Sequence, residues 1–398
     1  MRKMMIAAIA ALAWSVPAWT VPAYAAGPVV ESVVVLMRHG IRPPTKDPAM
    51  PAGTAAAPWP RWDVPPGWLT AHGGEAVESL GVQDGAWLRR IGVLPVAGCP
   101  DATRLHIVAD SDQRTIATGQ HWVKGALSHC APAFDHLPQD QDDPRFGPLS
   151  AGLARIDPGA AALALDQAVG PQGLAGIDRR LAPLYARLNA ILCGGAAAPC
   201  GIGVEPTRIR PATAQARPKL SGMLDRASTA AQILLLEYAD GKPMGEVGWG
   251  RASAGDIAVL STFHAEEFRL LARPRPLAAP NLAGLAPVLR EGLEGRVGLA
   301  LIVGHDTNIA NLAGLLGLHW RVDGLAADDP SPGGAIMLEV LRMPSGRRMV
   351  RASYRSQTLA GMRSGKGAAL RHPMVIEACH DAVRGMCPLD QVLGALGR

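Results

Sequence analysis

The sequence predicts an α/β fold: a mixed central sheet flanked by helices, with a second, smaller, mainly α-helical domain inserted. Three observations point there. Uninterrupted apolar runs give way to loops and then to helix-patterned stretches, the arrangement of buried strands in an α/β sheet. The stretch 155–268 carries mostly helical patterning. Sheet character then returns after residue 298 and closes in a hairpin. The composition supports a large core: of 398 residues, 48% are hydrophobic and 18% charged, too apolar and too weakly charged for a disordered chain.

The elements follow in order. Residues 1–25 read as a signal peptide: Arg2 and Lys3 form the charged start, Met4 to Trp14 the apolar stretch, and Ala23-Tyr24-Ala25 a small-x-small cleavage site. Pro17 and Pro22 argue against a membrane span, and no second long apolar stretch follows. The protein is therefore expected to be periplasmic or secreted, with the α/β domain formed by 26–154 and 269–398 and the helical domain by 155–268. Val33 to Met37 is the first buried strand. A loop rich in Pro and Trp runs from Pro43 to about Pro66; its Trp59 and Trp62, with Trp68 just beyond, either line a groove or pack the loop, the commoner role. Gly73 to Arg90 reads as a helix, Arg104 to Asp110 as a strand and Thr115 to Leu127 as a helix. Ala227 to Tyr238 is the clearest helix of the inserted stretch. Gly298 to Val303 is again a strand, Ile309 to Leu316 a helix, and Ala335 to Met343 with Met349 to Gln357 the closing hairpin.

Six cysteines fit an oxidising compartment. They allow 15 pairings, of which sequence proximity favours Cys99–Cys130, Cys193–Cys200 and Cys379–Cys387. No cluster with metal-ligand spacing competes for them. The 33 Arg and 6 Lys give, with the acids, a net charge of +5, but the arginines are scattered among acids rather than gathered into a run. That is a mixed-charge surface, with no nucleic acid implied.

Three loops share one pattern: a strand, a charged and polar turn, then usually a helix. They are Met37 to Pro43, Asp110 to Thr115, and Gly304 to Asn308. Ligands of open α/β sheets bind beyond the carboxyl ends of strands. There the loops would present Arg38, Arg42 and Arg114, the imidazoles of His39 and His305, and the acid Asp306. Three guanidinium groups repel one another unless an anion lies among them, and their forks match phosphate oxygens. A phosphate ester is the ligand this suggests. His39 would attack phosphorus and form a phosphohistidine. Asp306 would protonate the leaving oxygen and then help activate water. Gly40 would let the phosphate approach the backbone, and Thr307 or Asn308 would cap the next helix. The arginines supply the positive charge, so neither a metal nor another cofactor is called for. Each loop alone has an ordinary structural explanation; their coincidence behind three strands is what carries the reading. Asp110-x-Asp112 imitates an aspartate-nucleophile phosphatase, but Arg114 stands where that motif has Thr or Val. There is no G-x-S-x-G elbow, P-loop or C-x5-R loop.

Arg38-His39-Gly40-Ile41-Arg42-Pro43-Pro44 resembles the R-H-G-x-R-x-P signature of the histidine acid phosphatase family, and His305-Asp306 its distant H-D pair. The resemblance covers nearly the whole chain after residue 26 and is nearest to bacterial periplasmic phytases and glucose-1-phosphatases. Gly67-Trp68-Leu69-Thr70, Asp112-Gln113-Arg114-Thr115, Gly248-Trp249-Gly250 and Pro332-Gly333-Gly334 add to it. It implies His39 as nucleophile, Asp306 as proton donor, and Arg38, Arg42, Arg114 and His305 as the phosphate-binding set. It also matches the three disulfide pairings. Pro44-Thr45-Lys46 and His305-Asp306-Thr307-Asn308 look more like the phytases, with Thr45 and Lys46 placed to bind further phosphates. Thr229 and Gln232 fall where enteric phytases carry Met and Glu, and Ala154 where they carry a cysteine paired to the C-terminal tail.

The expected activity is hydrolysis of phosphomonoesters, with phytate as substrate. The alternative is a glucose-1-phosphatase or a broader sugar-phosphate phosphatase. A rival of another class is a non-catalytic phosphate-ester binding protein, which would need neither His39 nor Asp306; a phosphomutase is disfavoured by export. The expected partner is a small phosphate ester met by a monomer, with no membrane.

Overall fold

The computed structural model describes residues 27–196 and 199–397, so the proposed signal peptide lies outside the described residues. Among the described residues nine strands run in chain order: β1 (Val29–Arg38), β2 (Leu105–Ala109), β3 (Arg208–Arg210), β4 (Lys219–Ser221), β5 (Leu299–Gly304), β6 (Ala335–Arg342), β7 (Arg348–Ser356), β8 (Leu370–Met374) and β9 (Cys387–Pro388). The helices between β1 and β3 are α1 (Ala71–Arg90), α2 (Gln113–Ala126), α3 (Pro158–Val169) and α4 (Gly173–Cys193). Between β4 and β5 come α5 (Met223–Ala239), α6 (Ala254–Leu260), α7 (Thr262–Leu271), α8 (Arg275–Leu282) and α9 (Ala286–Leu293). The last three are α10 (Asp306–Leu316), α11 (Leu359–Ser364) and α12 (Leu389–Ala395).

The main sheet is mixed, in the order β2-β5-β1-β6-β7-β8, with β9 also paired to β7. β2, β5 and β1 are parallel, and the rest pair antiparallel. β1 shows why its run is unbroken in apolarity. Val34 and Leu36 enter one core cluster, and Val33, Val35 and Met37 the cluster on the opposite face. Successive strand residues face opposite ways, so a sheet covered on both sides needs no polar alternation. Val77, Leu80 and Leu88 of α1 and Trp122 of α2 cover one face. Leu188 of α4, Leu224 and Leu234 of α5, Leu289 of α9 and Leu312 of α10 belong to the cluster on the other.

The segment 155–268 is mostly helical, as its patterning predicts, but it also holds the short antiparallel β3–β4 hairpin. α7 runs on to Leu271. The apolar residues of α4 and α5 join the same cluster as Leu36 and Ile302 of the sheet. All three disulfides form as sequence proximity favours: Cys99–Cys130, Cys193–Cys200 and Cys379–Cys387. No described helix is long and apolar enough to cross a membrane.

One buried polar knot ties the helical layer to the antiparallel half of the sheet. Asp84 of α1, fully buried, forms an ion pair with Arg355 of β7 at 2.9 Å and accepts from Arg371 of β8 at 2.7 Å and the Trp122 indole at 2.9 Å. Removing the carboxylate would strand the fully buried Arg355 without a counter-charge. Asp84→Ala is therefore expected to lower the unfolding free energy by roughly 3–5 kcal/mol. Urea unfolding checks this, and a loss below about 1 kcal/mol would show that the knot contributes little.

Candidate active site

Register explains how three loops distant in sequence meet. β5 lies between β1 and β2, and all three point the same way. Arg38 pairs with Gly304 and Ala109 with Val303, so the residues leaving each strand emerge side by side. The backbone continues the pairing: His39 N–H donates to Gly304 O and Asp110 N–H to Val303 O. The His39 and His305 rings consequently lie edge to face, 5.7 Å between centroids.

His39 is 1% exposed. Its Nδ1 lies 2.8 Å from the carbonyl of Gly40, which only accepts, so Nδ1 carries the proton and Nε2 keeps a free lone pair. Burial first, then Arg114, Arg42, Arg38 and His305, hold the His39 pKa well below its ordinary value. The ring is therefore held toward its neutral form. Gly40 has a different role from the one expected of it. A Cβ there would meet Leu69 Cδ1 at 2.8 Å and Val77 Cγ2 at 2.9 Å, so the missing side chain admits α1 rather than a ligand. Gly40 N–H donates to Thr118 Oγ1 on α2, which fixes the loop.

The guanidinium groups converge as expected. Arg38, 1% exposed, bonds to the Pro330 carbonyl and reaches Asp306 at 2.9 Å and Gln232 Oε1 at 3.2 Å. Arg42 is anchored on the Pro43 carbonyl, and Arg114 on Asp112 at 2.5 Å. Burial, together with Arg114 and Arg38, lowers the Arg42 pKa, the electrostatic mark of cations crowded together. The Nε–H of all three arginines is buried without a protein acceptor. Such a cluster has donors to spare for an anion.

His305 stands at the N-cap of α10, and Asn308 Oδ1 accepts its backbone N–H at 2.9 Å. The helix thus starts at Asp306, earlier than the apolar pattern indicates, and its N-terminus opens into the site, a position that favours anions. His305 Nε2–H donates to Asp110 at 2.6 Å, with Asp112 3.5 Å away; the carboxylate fixes the ring's orientation. Burial would raise the Asp110 pKa, but the hydrogen bond and charge of His305 prevail and hold it low. Asp110, Asp112 and His305 lie close enough to hold a metal ion, but Arg114 and His305 already take up these carboxylates. Burial likewise opposes ionisation of Asp306, and Arg38, His264, His39 and His305 overcome it, placing that group far below the usual carboxylate range.

Two cavities meet at Arg42 and Asp306. One, of about 450 Å³, is lined by His39, Arg114 and His305. The other, of about 650 Å³, is lined by Arg38, Thr45, Lys46, Thr229 and Gln232. Thr45 and Lys46 thus share a wall with the arginine cluster. The sequence reading did not single out His264, whose Nδ1–H donates to Asp329 at 2.6 Å and whose Nε2 lies 3.7 Å from Asp306. It also passed over Arg217 and Glu267, which line the same cleft. A histidine, a glutamate and an arginine inside a helical or loop stretch carry no local signal of a site.

Comparison with known proteins agrees with this geometry. The model of the histidine phosphatase superfamily (branch 2) matches residues 29–173. Phytase AppA of Escherichia coli is 30% identical over 392 residues, covering 90% of this chain and 89% of its own. The glucose-1-phosphatase of Salmonella typhimurium is 27% identical, covering 91% and 90%. The structure of Hafnia alvei phytase in complex with myo-inositol hexakis sulphate superposes with a TM-score of 0.83 at 28% identity, over 93% of this chain and 97% of that one. A mixed sheet with an arginine-ringed histidine beyond its parallel strands, and a likeness to phosphatases running the length of the chain, have one explanation: the chain belongs to the histidine phosphatase superfamily, in the branch of the histidine acid phosphatases, and is a phosphatase.

Proposed function

We propose that the protein is an exported acid phosphatase that hydrolyses phytate through a phosphohistidine on His39. The observation that carries the chemistry is that His39, three guanidinium groups and the Asp306 carboxyl line two cavities that meet at Arg42 and Asp306. Arg38, Arg42, Arg114 and His305 bind the phosphoryl oxygens and offset charge in the transition state. In the first step the Nε2 lone pair attacks phosphorus, the ester P–O bond breaks, and the leaving oxygen takes the Asp306 proton. In the second, water attacks phosphorus and gives its proton to the Asp306 carboxylate, and the N–P bond breaks. Phosphate leaves and Asp306 is again protonated.

Asp306 must be protonated when the ester is cleaved, although the cations around it favour its ionised form. A bound phosphate group offsets those same cations, so the acid is generated by substrate binding.

Support for phytate comes from Thr45 and Lys46. They line a cavity of about 650 Å³ beside the arginines, where further phosphates of a polyanion can be held. The phytases of E. coli and H. alvei resemble the chain throughout, and a structure of the latter is in complex with myo-inositol hexakis sulphate. Relatives named glucose-1-phosphatase make glucose 1-phosphate the second candidate. Phosphate release from both substrates, measured side by side in mild acid, tests the proposal. A kcat/KM for phytate about tenfold or more above that for glucose 1-phosphate is the expected result, a difference of about 1.4 kcal/mol in transition-state binding. The reverse preference would keep the chemistry and replace the substrate. Release from neither by folded protein would leave a binding protein.

A further inference from the structure

The wall of the larger cavity carries acids as well as cations, which is unexpected around a polyanion. Glu267 of α7 lines both the cavity of about 650 Å³ and an adjoining one of about 300 Å³. Ser228 Oγ–H of α5 donates to its Oε2 at 2.5 Å. Charged groups act on it from three elements: Asp225 of α5, His264 one turn back on α7, and Asp306 of α10. Arg217 and Lys219 line the adjoining cavity, and Lys46 and Arg226 the larger one. Arg217 has no salt bridge with a described residue within 4.0 Å, and the charges of Asp306 and Glu267 act on it.

We propose that Glu267 is a specificity-determining residue that confines tight binding of multiply phosphorylated substrates to acid pH. The inference rests on the phytate reading above. Neutral, Glu267 leaves Arg217 free for a peripheral phosphate and adds no repulsion. Ionised, it repels the substrate's outer phosphates and draws on the charge of Arg217. A substrate with one phosphate, held at the arginine cluster, does not reach this wall and escapes the effect. Burial, aided by the negative charge of Asp225 and Asp306, pushes the Glu267 carboxyl up, while His264 and the Ser228 hydrogen bond oppose this, so its neutral form persists above the ordinary glutamate range.

The test is KM for phytate and for 4-nitrophenyl phosphate, between about pH 4.5 and pH 7, in the wild type and in Glu267→Gln. Glutamine keeps an acceptor for Ser228 and cannot ionise. Wild-type KM for phytate should rise about five- to tenfold more over this range than that of the variant, the size of one charge pair across a hydrated wall. The ratio of the two proteins' KM values for the aryl phosphate should stay flat with pH. Parallel phytate profiles overturn the inference and leave the phytate reading standing. Failure of the wild type to act on phytate, while it hydrolyses the aryl ester, overturns both. Should Glu267→Gln not fold, Ser228→Ala removes the bond that favours the ionised form and should move the KM rise to higher pH. An unmoved profile overturns the inference equally.

Discussion

His39→Ala is expected to lower kcat by about 10⁴-fold or more on every phosphate ester while leaving the protein folded. The size follows from the chemistry: without Nε2 no phosphohistidine forms, and what remains is positioning and charge stabilisation of a direct attack by water. The fold should persist because the ring makes one side-chain hydrogen bond, to the neighbouring Gly40 carbonyl, and lies among cations that disfavour its charged form. Rapid quenching after mixing with labelled substrate separates this role from a positioning one. Wild-type protein should carry label in a linkage that survives base and is lost in acid, as a P–N bond is, and the variant none. Label on the variant, or kcat within about tenfold of wild type, would remove His39 from the role of nucleophile.

Asp306→Asn should be the second-largest loss, and its size should depend on the leaving group. An alkoxide leaves badly without a proton, whereas 4-nitrophenolate leaves unaided. The expected loss in kcat is about 10²–10⁴-fold for an alkyl phosphate and about tenfold for the aryl ester. The substitution also removes the negative partner of Arg38, 2.9 Å away, so binding of phosphate itself should tighten. Equal losses on both substrates would mean that Asp306 holds Arg38 in place rather than moving a proton. Product inhibition by phosphate gives the independent readout.

The strands, the helices beside them and the three loops were legible because each has a local cause. β1 and β5 are apolar throughout, since both faces of the sheet are covered; α1 begins after Thr70, whose hydroxyl accepts the Gly73 N–H. The pairing of cysteines near in sequence was legible for the same reason. Where local causes were weak, the reading slipped. α5 begins at Met223, four residues before the apolar pattern becomes clear, and α10 starts on the polar residues Asp306 to Asn308 rather than on Ile309. The β3–β4 hairpin, three residues a side with exposed ends, left no pattern to find. Thr229 and Gln232 stood out only against related sequences, and both line the cleft, with Gln232 on Arg38.

The sequence by itself determined the reaction class. The residue types proposed as nucleophile, acid and anion grip lie in three short segments, and the chemistry of a side chain travels with the residue. Tertiary structure alone decided which groups act on which. Strand order and register put His39 beside His305 and Asp110 behind it. Helix packing brought His264 to Asp306 and left Glu267 and Arg217 on the wall of the cleft. Proximity across 40 to 270 residues of chain is set by which apolar faces bury one another, a property of the whole core that no local segment carries.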